Sequence, residues 1–327
     1  KFTDAEKLRI DQFVMQGGRL LCFIDRLYDD DDSLRYGKTD IIAYDRDLDL
    51  TDMFFRYGVR INTDLVMDLR CDLRPLVVGG TAENPQLEYL PWNYFPLLTT
   101  PESLRQNIGY IAARYVNSVD TIETEGIKKT PLLVTSPNSR IIGTPALISL
   151  NENKTAPEDA KFRSNAIPVA VMLEGTFSSF FNNRLGKTKL DSMSASGLPF
   201  IPTIQENKMI VVGDGDILFN EVDPELGPLP MGWNKYTFSE RQRNTQNGQY
   251  FIPVANRDFL KNCIELLVSD ASIGQLRNKE IVLRLLDSKK IRAQQSTWQF
   301  INIGVPILLV ILFGWIYQQI RKRKYAS

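Results

Sequence analysis

The sequence contains no histidine among its 327 residues. This absence excludes Ser-His and Cys-His nucleophile pairs, histidine general bases and histidine metal ligands. Cysteine is also scarce, because only Cys22, Cys71 and Cys263 are present and no CxxC motif of a redox or zinc site occurs. Cys22 lies in an apolar run and Cys263 in a helical pattern. We therefore expect free thiols rather than one disulfide with an odd partner, although the sequence leaves the pairing open.

The sequence has no excess of either charge, since 39 Lys and Arg residues balance 39 Asp and Glu residues. This balance argues against general nucleic-acid binding. The chain also lacks a GxxxxGK[ST] phosphate loop, a GxGxxG fingerprint and a GxSxG or GxCxG nucleophile motif. We therefore predict no catalytic residues, no cofactor and no metal, and any ATP hydrolysis belongs to another chain.

One long run without charge, residues 293–320, lies near the C-terminus and covers 28 residues. Its part 298–317 is almost entirely apolar and, at ~1.5 Å rise per residue, spans ~30 Å, which is the thickness of a bilayer's hydrocarbon core. This run predicts one transmembrane helix over 298–320. An amphipathic juxtamembrane segment is predicted over 273–297, and a basic cytoplasmic tail over 321–327.

Several residue types in this region suit a membrane anchor. Aromatic rings near both ends favour the headgroup region, the basic residues follow the helix, and small or polar positions can pack against other helices or face lipid. The predicted anchor and packing residues are Trp298, Asn302, Gly304, Gly314, Trp315, Arg321, Lys322, Arg323 and Lys324. Basic residues also lie upstream, so a count alone does not decide orientation. The density of charge in the tail favours a cytoplasmic C-terminus and an exported globular part.

The rest of the chain has the pattern of an α/β protein. Residues 3–16 have helical periodicity and begin with a capping box, Gly17 and Gly18 end the helix, and 19–25 is an apolar strand that ends in Asp25. This order predicts a mixed, mostly parallel sheet with flanking helices. We divide it into a first part, 1–150, and a second part, 151–272. Because the chain enters directly at a helix start, we expect it to be the C-terminal part of a longer protein.

Two groups of acidic residues are candidates for a ligand or metal site. Asp214 and Asp216 follow an apolar strand in the sequence GDGD at 213–216, the edge at which open α/β sheets bind ligands. They could hold Mg²⁺, but capping of the element that follows is the commoner role. The run of four aspartates at 29–32 lacks the spacing of a calcium loop, and we expect it to be a solvated loop.

An aromatic stretch interrupted by prolines, LPWNYFP at 90–96, has two interpretations. Trp92, Tyr94 and Phe95 could form a platform on which a ligand stacks, or a packed loop that anchors the sheet, which is the commoner role. With Asp214 and Asp216 they are the candidate residues of a cleft for a glycan or peptide.

Longer phrases resemble a known family. They include FRYGVRIN at 55–62, PVAVMLEG at 168–175, VVGDGDI at 211–217, GPLPMGWNKYT at 227–237 and WQFIN at 298–302. Nearly the whole chain is similar to GldG, the family of gliding-motility-associated ABC-transporter subunits of Bacteroidota. The resemblance implies an auxiliary domain of glutamine-amidotransferase-like architecture without known enzymatic role, in the periplasm, with a second anchor near the N-terminus of the full protein. It also implies a permease subunit and a cytoplasmic ATPase subunit as partners, in a complex linked to type IX secretion.

We therefore predict a non-enzymatic subunit of an ABC transporter complex, anchored in the bacterial inner membrane with its bulk in the periplasm. A periplasmic module that binds a glycan or a peptide is the alternative. An enzyme that uses Asp214 or Glu174 ranks third, since Glu174 has no partner carboxylate at a known spacing.

Overall fold

The structure is a computed structural model that describes residues 1–35, 38–81, 84–101, 108–152, 159–224, 226–235, 254–269 and 288–325. It divides into two compact units, Lys1–Lys279 and Glu280–Ser327. Most of the predicted juxtamembrane segment, 273–287, lies outside the described residues.

The first unit contains five of the described helices and all of the described strands. The helices are α1 (Asp4–Met15), α2 (Asp31–Arg35), α3 (Thr51–Tyr57), α4 (Lys187–Ala195) and α5 (Asn256–Val268). The strands in the first half are β1 (Leu20–Phe23), β2 (Leu27–Tyr28), β3 (Asp40–Asp45), β4 (Val59–Ile61), β5 (Asp64–Asp68), β6 (Cys71–Gly80), β7 (Pro85–Leu98) and β8 (Ile111–Ala112). Those that follow are β9 (Val119–Thr121), β10 (Ile127–Val134), β11 (Ser139–Gly143), β12 (Ala146–Ser149), β13 (Pro168–Ser178), β14 (Thr203–Val212), β15 (Val222–Asp223) and β16 (Gly227–Pro228). Two short 3₁₀ turns lie at Asp159–Lys161 and Asp216–Leu218.

The central sheet has the strand order β1-β14-β13-β10. The stretches in which β1, β14 and β13 pair, 20–23, 209–212 and 170–173, are apolar on both faces, as expected where a sheet is covered on both sides. One face of β13 and β14 packs with α1 and α3, through residues that include Val14, Phe54, Val171 and Val211. The other face packs with α5 through Phe259, Cys263 and Leu267. The sheet is therefore the middle of three layers.

A second region of sheet lies beside these layers and has its own core. It consists of the sheets β12-β3-β2, β11-β5 and β6-β7-β8. Their inward side chains form one cluster, in which Leu65, Met67, Trp92 and Tyr94 are fully buried. In the outer part of the β6–β7 hairpin, by contrast, Leu87 on β7 is 56% exposed.

The prediction of a mostly parallel sheet is wrong. Among the described strands, β1 and β14 form the one parallel pair, with Leu20 opposite Met209 and Phe23 opposite Val212. β13 pairs antiparallel with both β14 and β10. A parallel neighbour requires a crossover helix that packs on the sheet. The helix between β13 and β14 is α4, which has no buried residue, so the chain returns antiparallel.

The second unit contains the helix α6 (Ser288–Tyr325), which includes Pro306. Its segment Asn302–Arg321 is long and apolar enough to cross a bilayer, with a mean hydropathy of 1.9 and no part of it buried. This finding is compatible with the membrane anchor predicted over 298–320. The described residues 288–297 of the predicted juxtamembrane segment belong to the same helix.

Candidate functional site

The candidate site lies where the two parallel strands of the central sheet end. Because β1 and β14 run in the same direction, the residues after them meet at one edge. Asp25 follows β1, and the GDGD sequence follows β14. The backbone N–H of Gly215 donates a hydrogen bond of 2.5 Å to Asp25 Oδ1. A Cβ atom at Gly215 would lie 2.7 Å from Asp25 Oδ2, so glycine permits this close approach.

Asp214 stabilises the turn after β14 through two hydrogen bonds. Its side chain is 1% exposed, and its two oxygens accept hydrogen bonds from the backbone N–H groups of Arg114, at 2.9 Å, and Asp216, at 2.7 Å. The second bond begins the 3₁₀ turn Asp216–Leu218. Asp214 therefore has a structural role, since it joins the end of β14 to the segment around Arg114.

Five aspartates form an acidic edge here, in which Asp29 interacts with Asp25, Asp31 and Asp216, and Asp214 interacts with Asp25 and Asp216. Burial, reinforced by the charges of Asp216, Asp31 and Asp25, raises the pKa of Asp29 from 3.8 to about 7. Burial and then the charge of Asp25 raise the pKa of Asp216 to about 6. The pKa of Asp214 is raised well above its usual range, first by burial and then by Asp216 and Asp25.

Two arginines oppose this accumulation of negative charge. Arg46 acts to lower the pKa of Asp29 and of Asp216, and Arg114 acts to lower the pKa of Asp216. Arg114 also forms an ion pair of 2.8 Å with Glu221. Burial acts to lower the pKa of Arg114, but the charge and hydrogen bond of Glu221 outweigh it and the pKa is raised. The raised pKa values of Asp29, Asp214 and Asp216 mean that these three groups keep their protons to higher pH than a free aspartate does.

The aromatic candidates Trp92, Tyr94 and Phe95 lie in β7, not in a loop. Trp92 and Tyr94 are fully buried and Phe95 is 4% exposed, with ring centroids 5.0 Å apart in the Trp92–Tyr94 pair. Their faces contact other core residues, so in this conformation they pack the core and offer no open platform for a ligand. The prolines that suggested a loop are accommodated at irregular positions of the β6–β7 ladder.

The two predicted groups of residues are nevertheless linked. The guanidinium of Arg114 lies 4.9 Å from the centroid of the Phe95 ring. Tyr115 stacks edge-on to Phe95, at 5.5 Å, and its hydroxyl donates a hydrogen bond of 2.5 Å to Asp31. The buried ring of Phe95 therefore contacts Arg114 and Tyr115, and both of these residues interact with the acidic edge.

Sequence reasoning missed most of this network. Asp29 and Asp31 were expected in a solvated loop, but both are only partly exposed and belong to the acidic edge. Asp25 at the end of an apolar strand was a usable signal. No local sequence pattern distinguishes Arg46, Arg114 or Glu221, because they are distant in sequence from the other residues of the site.

The remaining chemistry-bearing groups of the sequence are Glu174 and the three cysteines. Glu174, the alternative acid or base, lies 3.7 Å from Lys208 in an ion pair. Cys22, Cys71 and Cys263 are free thiols, and burial raises the pKa of each to about 12. Across the part of the chain that the structure describes, no group of three or more His, Cys, Asp or Glu side chains is arranged to hold a metal ion.

The predicted anchor residues all lie in α6. Asn302, Trp315, Arg321 and Arg323 are exposed, Gly304 is half-buried, and nothing lies within 4 Å of a Cβ atom placed on Gly314. The side chains of Trp298, Lys322 and Lys324 are outside the described residues. Packing of this helix against other helices stays a prediction.

Taken together, the chain is a three-layered α/β protein with an acidic sheet edge and one helix suited to a membrane. A family model described as "ABC-type uncharacterized transport system" matches residues 1–263. The chain therefore belongs to this family of auxiliary components of ABC-type transport systems. Comparison with curated proteins and with solved structures found no match.

Proposed function

We propose that this protein is a non-enzymatic subunit of an ABC transport complex involved in gliding motility and type IX secretion, anchored in the bacterial inner membrane with its bulk in the periplasm. One observation carries the proposal: a body that matches an auxiliary ABC-transport family over 1–263 is followed in the same chain by the candidate span Asn302–Arg321. The resemblance to GldG supports the finer statement about gliding and secretion.

The proposed mechanism is mechanical. A cytoplasmic ATPase subunit hydrolyses ATP, the permease subunit moves, and the α/β body transmits that movement to partners in the envelope. The helix α6 lies beside the permease helices, where Asn302, Gly304 and Gly314 are the proposed packing positions. The chain needs no chemical step of its own in this scheme.

The chemistry of the acidic edge is consistent with a role without catalysis. Asp214, which is the most buried carboxylate there, uses both oxygens to hold backbone N–H groups. The sequence supplies no histidine and no phosphate loop that could work with it. The pKa values of Asp29 and Asp216 are raised, which favours their neutral form, and Arg46 lies near both of them.

Co-purification tests the proposal. A tagged full-length protein, extracted in mild detergent from its native membrane, is expected to retain a permease subunit and an ATPase subunit. A variant that ends after Gln295 is expected to lose both, whereas Asp191→Asn on the exposed helix α4 serves as a control and should lose neither. Recovery of the full-length protein without any transporter subunit would overturn the proposal.

A second candidate function is the binding of a glycan or peptide at the acidic edge. The observation that favours it is the pair Asp29 and Asp216, which are partly exposed and have pKa values raised to about 7 and about 6. Amide exchange measured with and without cell-wall glycan fragments or peptides tests this function. Protection of the segments around Asp29 and Asp216 supports it, and unchanged exchange with both ligand classes speaks against it.

A further inference from the structure

One face of the small sheet β12-β3-β2 is apolar and open to solvent. Side chains alternate along β3, so Ile41 and Ala43 are buried while Ile42 and Tyr44 point outward and are 57% and 49% exposed. Leu147 of β12 is opposite Ile42 and is 61% exposed.

The outer face continues onto the third strand. Tyr28 of β2 is opposite Tyr44, and the two rings lie 5.1 Å apart. Ile42, Tyr44, Leu147 and Tyr28 therefore form one contiguous patch, which we call the outer patch. Contiguous exposed apolar side chains of this kind are typical of interaction surfaces.

The ends of the outer patch carry opposite charges. The outward positions of β3 and the residue after it are, in order, Asp40, Ile42, Tyr44 and Arg46. Hydrogen bonds from Ser149 and Thr39 lower the pKa of Asp40, so it is ionised at neutral pH. The guanidinium of Arg46 lies 5.8 Å from the centroid of the Tyr28 ring, which places it at the other end of the same face.

We propose that a second copy of this chain covers the outer patch, face to face, in a two-fold symmetric dimer. A sequence that runs acid, apolar, aromatic, base along one strand is complementary to itself when the strand meets an antiparallel copy. The two-fold axis lies between the two sheets, perpendicular to β3 at the level of Ala43. Asp40 of each copy then faces Arg46 of the other, and Ile42 of each copy faces Tyr44 of the other.

This arrangement follows the ordinary rules of sheet packing and symmetry. Two sheets pack face to face ~10 Å apart when both faces are apolar. A two-fold interface uses the same patch on both copies, so each Asp40–Arg46 contact occurs twice. The charges add specificity more than affinity, because reversing one of them places like charges at both ends of the interface.

The test is a pair of charge reversals in the full chain, held in detergent micelles and analysed by sedimentation. The unaltered protein is expected to be a dimer. Arg46→Asp and Asp40→Arg are each expected to raise the dissociation constant by at least ~10-fold, since each creates two repulsive contacts. When these two variants are mixed, a heterodimer is expected to form, because every contact in the mixed pair is again between opposite charges. The double variant D40R/R46D is expected to dimerise like the unaltered protein.

Matched apolar variants separate the outer patch from other surfaces. Leu147→Lys, in the patch, is expected to abolish the dimer. Leu87→Lys, at the similarly exposed position in the β6–β7 hairpin, is expected to leave it unchanged. A protein that is monomeric at all concentrations overturns the proposal. So does a dimer that survives both charge reversals and Leu147→Lys, since such a dimer forms elsewhere, for example through α6.

Discussion

At the scale of the residue, Asp11 of α1 is a buried acidic side chain with four hydrogen-bond partners. Its side chain is fully buried, and its carboxylate accepts hydrogen bonds from the hydroxyls of Tyr57, at 2.8 Å, and Ser179, at 2.6 Å. The backbone N–H of Phe180 and the amide of Gln12 complete the set. One carboxylate thus connects α1, α3 and the chain that leaves β13.

Asp11→Ala is expected to destabilise the protein strongly, because four donors lose their acceptor inside the core. Donors left unsatisfied around a removed buried charge cost ~3–5 kcal/mol in the free energy of unfolding. Tyr57→Phe removes one donor and keeps the carboxylate, so it should cost only ~1 kcal/mol. Urea denaturation of the two variants measures the difference. Equal losses in the two variants would show that the network does not depend on its carboxylate.

At the scale of the element, the ends of β1 and β14 predict a pH dependence. The pKa of Asp29 is raised from 3.8 to about 7 and that of Asp216 to about 6 in the folded protein. The folded state therefore binds protons more tightly than the unfolded state, and the stability these groups contribute is full below pH 3.8 and is lost as pH rises through 6 to 7. Other groups titrate over this range, so the prediction concerns the difference between variants.

Asp29→Asn and Asp216→Asn are each expected to flatten the fall in stability between pH 4 and pH 7 and to make the protein more stable than the unaltered form at pH 8. Asp191→Asn, on an exposed helix, is the matched control and should leave the pH profile unchanged. Denaturant midpoints recorded across this pH range provide the measurement. Parallel profiles for all four proteins would mean that the acidic edge is more open to water than the structure shows.

Local elements were predictable where the sequence specifies both ends. The capping box at Thr3 and Glu6 and the glycines after Gln16 bound α1, and the structure has this helix over Asp4–Met15 with that cap. The amphipathic pattern of 255–268 likewise becomes α5. The signal for α1 lies within one turn of its ends, whereas the signal for α5 is the apolar periodicity of the whole segment, because no side-chain cap begins that helix.

The direction of the strands and the composition of the site were not predictable in this way. An apolar run such as β13 predicts burial, but it does not state whether its neighbour runs parallel or antiparallel. The acidic edge forms where β1, β14 and the segment of Arg114 meet in space, and the hydrogen bonds that join them connect residues 100 and 190 positions apart in the sequence. Prolines around Trp92 favoured a loop, whereas the long ladder with β6 holds this stretch as a strand.

At the scale of the whole molecule, the distribution of charge around α6 predicts its orientation. Arg321 ends the candidate span and Lys322, Arg323 and Lys324 follow it directly, while the upstream basic residues are spread over 279–292. Positive charge next to a span is retained in the cytoplasm, so we expect the C-terminus there and the α/β body on the other side.

In the native inner membrane, a fluorescent protein fused after Ser327 should fluoresce and alkaline phosphatase fused there should be inactive. Replacing the four basic residues by glutamine is expected to reduce that asymmetry, whereas replacing Lys187 and Lys189 of the distant helix α4 is the control and should not. An active phosphatase fused to the unaltered C-terminus would place the body in the cytoplasm and remove the basis for a periplasmic coupling subunit.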